Sequence, residues 1–131
     1  MQKILLACYM SPKIGLGHLS RLLALAQTLK KDKKVVPEFL IFGDLIKKDE
    51  LNNFKVHNFS ADSNFALTIE NLLKSNNFNG IVFDIYSGHN INDLYKLFSQ
   101  LKQQNICIIS IDCLIEYCDV LMFHGYKWLN S

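Results

Sequence analysis

The chain has 131 residues, of which 50% are hydrophobic and 20% charged, which excludes a disordered protein and predicts one folded domain over residues 1–131. A formal net charge of +2 gives no support for a protein that binds the phosphate backbone of nucleic acids. No apolar run is long enough for a membrane span and the N-terminus lacks a complete signal-peptide pattern, so we expect a cytoplasmic protein without a membrane partner.

Short apolar runs alternate with amphipathic segments along the whole chain. Strands are predicted at residues 4–9, 35–42, 54–59, 81–85, 106–111 and 120–123. Helices are predicted at residues 18–31, 45–51 and 63–74, and in a segment capped by Asn90 or Asn92 that ends near residue 104. Pro37 suggests that the second strand is an edge strand or that it begins there. Asp62 or Ser63 is the predicted N-cap of the helix at residues 63–74.

Continuous apolar strands separated by helices are typical of a parallel sheet that is covered on both faces. The sequence therefore predicts an α/β fold, a Rossmann-like doubly wound parallel sheet with the first strand in its centre. Ligands of such sheets bind beyond the carboxyl ends of the strands. The segments that follow strands at this edge are residues 10–18, 43–44, 84–90 and 112–114.

The four cysteines form no C-x-x-C pair. Cys8 and Cys107 lie within apolar runs, so we expect both to be buried. Cys113 and Cys118 have no histidine at a ligand-like spacing before His124. We therefore expect no zinc site and no disulfide. We also expect no cofactor, because Ser20 stands where a dinucleotide-binding loop has its third glycine.

The loop after the first strand contains Gly15 and Gly17 directly before His18. The glycines allow the backbone to turn tightly and to approach a ligand closely. His18 opens a helix, whose positive dipole end disfavours a protonated imidazole and suits a general base near neutral pH. Arg21 follows one turn later on the same side of the helix. We predict that His18 is an exposed catalytic base that contributes little to the core.

Polar residues also end two later strands. Asp84 closes the fourth strand, either as a group that orients a base or binds a hydroxyl, or as a solvated residue of a turn. Tyr86 is a candidate for stacking on a ring or donating a hydrogen bond, and Asp112 is a binding group or a turn former after the fifth strand. The predicted substrate-binding residues are Gly15, Gly17, Arg21, Asp84, Tyr86 and Asp112.

The string S-x-x-I-G-x-G-H-x-x-R-x-L-x-L-A-x-x-L, from Ser11 to Leu29, resembles the opening of the bacterial UDP-sugar hydrolases of pseudaminic acid biosynthesis. Later stretches are similar to this family in the same order. The run from Ile81 ends in D-x-Y at Tyr86, and the run from Ile109 to Asp112 is followed by a C-D-hydrophobic stretch.

The resemblance implies the first half of a two-domain GT-B architecture, with the nucleotide-binding C-terminal half absent. It implies release of UDP from a UDP-linked 2,4-diacetamido-2,4,6-trideoxy sugar, with His18 activating the water that attacks the anomeric carbon. Gly15 and Gly17 match the loop that admits the sugar-phosphate, Tyr86 matches a tyrosine that faces the active site, and Arg21 matches the arginine of the motif. The resemblance implies a nucleotide-sugar substrate and no metal.

Three interpretations of function stay open. The chain is an enzyme half that is inactive alone and acts with a C-terminal-half partner chain or by self-association. Alternatively, it is the acceptor-side domain of a GT-B glycosyltransferase. The third interpretation is a non-catalytic binding module, because Ala7 and Tyr9 stand where the family has an arginine and an aspartate.

Overall fold

Six parallel strands form one sheet in the computed structural model, which describes residues 1–10, 17–44, 49–85, 94–111 and 119–122. The strands are β1 Gln2–Met10, β2 Val35–Gly43, β3 Lys55–Phe59, β4 Gly80–Asp84, β5 Cys107–Ile111 and β6 Val120–Met122. The helices are α1 Gly17–Lys30, α2 Phe65–Ser75 and α3 Leu94–Gln103, with a 3-10 helix at Asp49–Asn53.

The strand order is β3-β2-β1-β4-β5-β6, and every neighbouring pair is parallel. This is the order of a doubly wound Rossmann-like sheet, in which the chain reverses its direction of travel across the sheet after β3. The predicted α/β class, the parallel sheet and the central position of β1 are confirmed. The carboxyl ends of β1 and β4, between which the order switches, lie side by side.

Two apolar layers cover the sheet, one on each face. Leu5 and Tyr9 of β1 pack in a cluster with α2 and α3, whereas Cys8 and Met10 pack in a cluster with α1. The centre of β1 is apolar at every position because each face is covered by a helix. One face of the sheet is therefore covered by α1 and the other by α2 and α3.

The helix α2 begins later than the sequence predicts. Its N-cap is Asn64, whose side chain accepts a hydrogen bond from the Leu67 amide at 2.9 Å. Asp62 and Ser63 were the predicted caps, and both predictions are wrong. Their amides instead donate to the side chain and the carbonyl of Ser60, at 3.1 Å and 3.0 Å, so both residues belong to the preceding turn.

The sheet also shows where Pro37 and the two cysteines of the strands lie. β2 lies between β3 and β1, so Pro37 does not mark an edge strand. The pairing of β2 with β3 begins at Glu38, one residue after Pro37, so the missing N–H of the proline lies at the start of the strand. Cys8 is fully buried as expected, but Cys107 is only half-buried because it opens β5. Residues 45–48, Asn90, Asn92, Cys113, Cys118 and His124 lie outside the described residues.

A buried carboxylate joins the three strands on one side of the sheet. Glu38 is 3% exposed, accepts from Lys3 Nζ at 3.1 Å and lies 2.8 Å from His57 Nε2. Burial alone would raise the pKa of Glu38, but hydrogen bonds from His57 and Lys3, together with their charges, lower it below its ordinary value. This cluster holds β1, β2 and β3 together away from the carboxyl ends of β1 and β4.

Gly43 is required by the backbone where β2 ends. Its φ is +115°, and a Cβ placed there would lie 1.9 Å from the carbonyl oxygen of Met10. Replacing Gly43 with alanine is expected to lower the free energy of unfolding by about 3 kcal/mol, because the strained φ and the clash add. Urea denaturation measures this loss, and a loss below about 1 kcal/mol would contradict the assigned geometry.

Among the described residues, none of the helices is long and apolar enough to cross a membrane.

Candidate functional site

Three polar side chains meet where α1 begins above the carboxyl end of β4. His18 and Arg21 come from the first turns of α1, and Asp84 is the last residue of β4. His18 Nδ1 is hydrogen-bonded to Asp84 Oδ1. Arg21 Nε donates to Asp84 Oδ2 at 2.8 Å, and Arg21 Nη2 donates to Asp84 Oδ1 at 2.6 Å. One carboxylate therefore holds both basic side chains.

The apolar stripe of α1 fixes the position of these groups. Leu19, Leu22 and Ala26 are fully buried in the cluster between α1 and the sheet. His18 and Arg21 flank this stripe on the first turn, and their spacing of three residues places them on one side of the helix. Burying the leucines therefore directs the start of α1 towards the end of β4.

The alternation of β4 directs Asp84 to the same face. Val82, two residues earlier, packs in the cluster beneath α1, whereas Phe83 packs in the cluster beneath α2 and α3. Because strand residues alternate between faces, Asp84 shares the α1 face with Val82. The hydrogen bonds to His18 and Arg21 agree with this placement.

Asp84 is a buried and ionised carboxylate. It is 0% exposed, whereas the side chains of His18 and Arg21 are 16% and 24% exposed. Burial alone would raise the pKa of Asp84, but hydrogen bonds from His18 and Arg21, together with their charges, lower it below its ordinary value. The interpretation of Asp84 as a solvated turn residue is therefore wrong.

Cys8 is the neighbour of Asp84 on the adjacent strand. Burial, reinforced by the negative charge of Asp84, raises the pKa of the Cys8 thiol to about 12. The thiol is therefore neutral at physiological pH and is not a nucleophile. The sequence predicts only that Cys8 is buried, and the register of β1 against β4 places it beside the carboxylate.

The histidine and the aspartate form a dyad that can accept a proton. When Nδ1–H of His18 donates to Asp84, the lone pair of the ring is on Nε2, which is the atom that abstracts a proton from water or from a hydroxyl group. The carboxylate also stabilises the imidazolium that forms when Nε2 takes this proton. The prediction that His18 is an exposed group is wrong, because its side chain is largely covered in its contact with Asp84.

The predicted site residues divide into two groups. The structure brings His18, Arg21 and Asp84 together, and it places Gly17 at the exposed start of α1. Among the described residues, leaving aside its chain neighbours and the backbone of α1, no atom lies within 4 Å of the position that a Cβ on Gly17 would take. Gly15, Tyr86 and Asp112 lie outside the described residues.

Ala7 and Tyr9 lie on the other face of the sheet. Both are in the cluster with α2 and α3, where Tyr9 is 6% exposed and stacks on Phe42 with ring centroids 4.9 Å apart. The positions where the chain departs from the resembled family are therefore core positions of this fold. They do not contribute to the dyad of His18 and Asp84.

Within the parts of the chain that the structure describes, no group of three or more histidine, cysteine or acidic side chains is placed to hold a metal ion.

The fold and the site together define a Rossmann-like α/β protein with a histidine–aspartate dyad at the carboxyl edge of its sheet. No family model, no curated protein and no solved structure matches this chain.

Proposed function

We propose that this chain is the N-terminal, base-bearing domain of a sugar-nucleotide hydrolase. Its substrate is a UDP-linked 2,4-diacetamido-2,4,6-trideoxy sugar of the pseudaminic acid type. The single observation that carries the proposal is the pairing of His18 with the buried carboxylate of Asp84 where the strand order switches. Ligands of doubly wound sheets bind at this place.

The chemistry of the dyad suits the attack of water on an anomeric carbon. His18 Nε2 takes a proton from water as the oxygen bonds to the anomeric carbon, and the bond from that carbon to the UDP oxygen breaks. UDP leaves with the bonding electron pair as a diphosphate. A positioned base of this kind contributes about 100-fold to 10,000-fold to the rate of such a step.

The charge balance of the site supports a two-domain enzyme in which the base and the nucleotide-binding site lie on different domains. The positive charge of Arg21 is neutralised by the negative charge of Asp84, with which it forms two hydrogen bonds. The pair therefore offers little net attraction to the negative pyrophosphate. In the proposed enzyme the nucleotide is bound by a C-terminal half, and this chain supplies the base.

A glycosyltransferase domain is the second candidate. The same dyad would deprotonate the hydroxyl group of an acceptor, because Nε2 of a histidine held at Nδ1 accepts a proton from water and from an alcohol alike. The two functions differ in what receives the sugar. Product analysis with and without an acceptor alcohol therefore separates them.

The test is release of UDP from a panel of amino-sugar nucleotides. The chain is assayed alone and with the nucleotide-binding half of a sugar-nucleotide hydrolase supplied in trans. The hydrolase proposal expects UDP and free sugar from the diacetamido-trideoxy substrate in the mixed sample. Release that requires an acceptor would instead support the transferase.

A binding experiment with the sugar nucleotide tests whether the site is used at all. The NMR signals of the His18 ring should shift when the chain is titrated with the diacetamido sugar nucleotide, whereas those of His57 should not. No UDP release together with unchanged His18 signals would contradict both enzyme proposals and favour a binding module that does not use this site.

The variant Gly17→Ala distinguishes an effect on ligand binding from an effect on folding. Since the described residues leave the space around its Cβ position open, Gly17→Ala is expected to change the free energy of unfolding by less than about 0.5 kcal/mol. If the substrate approaches this backbone, the added methyl group should weaken substrate binding by about tenfold, which corresponds to about 1.4 kcal/mol. Calorimetric binding and urea denaturation measure the two effects. Unchanged binding in a stable variant would place the substrate elsewhere.

A further inference from the structure

Arg21 occupies both oxygens of the carboxylate that holds His18. Its Nε and Nη2 donate to Asp84 Oδ2 and Oδ1 at 2.8 Å and 2.6 Å. A planar guanidinium that binds a carboxylate through two parallel hydrogen bonds fixes the plane and the orientation of that carboxylate. Arg21 therefore holds the carboxylate of Asp84 in one orientation relative to the imidazole of His18.

The same guanidinium also lies against the imidazole ring. Arg21 Nη2 is 2.9 Å from His18 Nδ1, so Asp84 Oδ1 and Arg21 Nη2 both neighbour this ring nitrogen. A deprotonated Nδ1 would accept from Arg21 Nη2, but it would also direct its lone pair at the carboxylate oxygen, which is repulsive. A protonated Nδ1 donates to Oδ1, which then accepts from His18 and Arg21 together.

The guanidinium does not need the imidazole as an acceptor. Its Nε and Nη2 both donate to the carboxylate of Asp84, and the Nη2 bond to Oδ1, at 2.6 Å, is shorter than the 2.9 Å between Nη2 and His18 Nδ1. The proton that joins His18 Nδ1 to Asp84 Oδ1 is therefore supplied by the ring.

We propose that Arg21 is a positioning residue for His18, which holds Asp84 by both oxygens and thereby fixes the imidazole as the Nδ1–H tautomer with Nε2 as the basic atom. The catalytic use of this tautomer rests on the proposed function, but the tautomer itself is a property of the free chain. Direct binding of substrate by Arg21 stays a prediction from the sequence.

The test is the tautomer of each histidine, read from long-range nitrogen–proton NMR spectra of the labelled chain near neutral pH. His18 should be Nδ1–H in the wild type. In Arg21→Gln the ratio of Nδ1–H to Nε2–H should fall by at least about fivefold, because the carboxylate is free to rotate and the guanidinium is gone. His57 is the internal control, since its Nε2 faces Glu38 and its signals should stay the same in every variant.

Arg21→Lys keeps the charge without the planar fork and should give a ratio between those of the wild type and Arg21→Gln. If Arg21→Gln does not fold, Arg21→Lys decides the matter. A wild-type His18 in the Nε2–H form, or an unchanged ratio in a folded variant, would overturn the proposal. Because no substrate is present, this outcome is independent of whether the chain is part of a hydrolase.

Discussion

Replacing His18 with asparagine is expected to lower turnover of the assembled enzyme by about 100-fold or more, the usual contribution of a positioned base. Asparagine is still able to donate a hydrogen bond towards Asp84, but it has no lone pair that accepts a proton at neutral pH. The change should also lower the free energy of unfolding by about 1.5 kcal/mol, because a hydrogen bond to a buried charge is altered. Steady-state UDP release and urea denaturation measure the two effects.

His57 provides a matched control for this variant. Its side chain is 14% exposed against 16% for His18, and each ring is bonded to a buried carboxylate. His57→Asn should therefore cost a similar amount of stability and leave turnover unchanged. Equal turnover in the two variants would remove His18 from the catalytic role and leave it as a structural residue.

Replacing Asp84 with asparagine is expected to lower the free energy of unfolding by about 3 kcal/mol at neutral pH, because one partner of a buried ion pair is removed. Arg21 would keep its charge without a counter-ion, and His18 would lose the group that accepts its Nδ1 proton. Urea denaturation of the wild type and the variant gives the difference. A loss below about 1 kcal/mol would contradict the assigned ion pairs.

The stability difference between the wild type and Asp84→Asn is expected to depend on pH. The pKa of Asp84 is lower in the folded chain than its ordinary value in the unfolded chain, near 3.9. Its ion pairs therefore stabilise the fold fully above about pH 4, and their contribution is lost as the pH falls through the folded pKa. The difference between wild type and Asp84→Asn should be constant well above pH 4 and should shrink as the pH falls below about 4.

Glu38 also titrates in the acid range, but its effect cancels when the two proteins are compared. Its pKa is also lowered in the folded chain, so protonation of Glu38 destabilises the wild type and the Asp84 variant alike. Subtracting one curve from the other removes this shared loss. A difference that is as large at the acid end as at about pH 5 would show that the charge of Asp84 does not carry its contribution.

Hydrophobic periodicity is sufficient to predict the sheet because both faces of its strands are covered. β1 is apolar from Leu5 to Met10, a run that a half-exposed strand would interrupt with polar residues. The cap of α2 is harder to predict, since Asp62, Ser63 and Asn64 all have side chains that cap helices. The turn that closes on Ser60 decides between them, and this turn leaves no periodic signal.

The site is predicted only in part for a similar reason. The position of His18 at the start of α1 follows from the loop and helix pattern, but its pairing with Asp84 joins residues that are 66 positions apart. Whether Asp84 faces α1 depends on the alternation of β4, for which Val82 beneath α1 is the available signal. Burial of Asp84 then follows from α1 covering the strand end, a tertiary effect that local sequence does not specify.

The most direct test of the proposed reaction is the fate of the oxygen from water. Hydrolysis of the diacetamido-trideoxy sugar nucleotide is run in oxygen-18 water with this chain and the nucleotide-binding half, and both products are analysed by mass spectrometry. Attack of activated water on the anomeric carbon predicts that the sugar carries one labelled oxygen and that UDP carries none. Label in UDP, or sugar released without label at early times, would contradict the role proposed for His18 and Asp84.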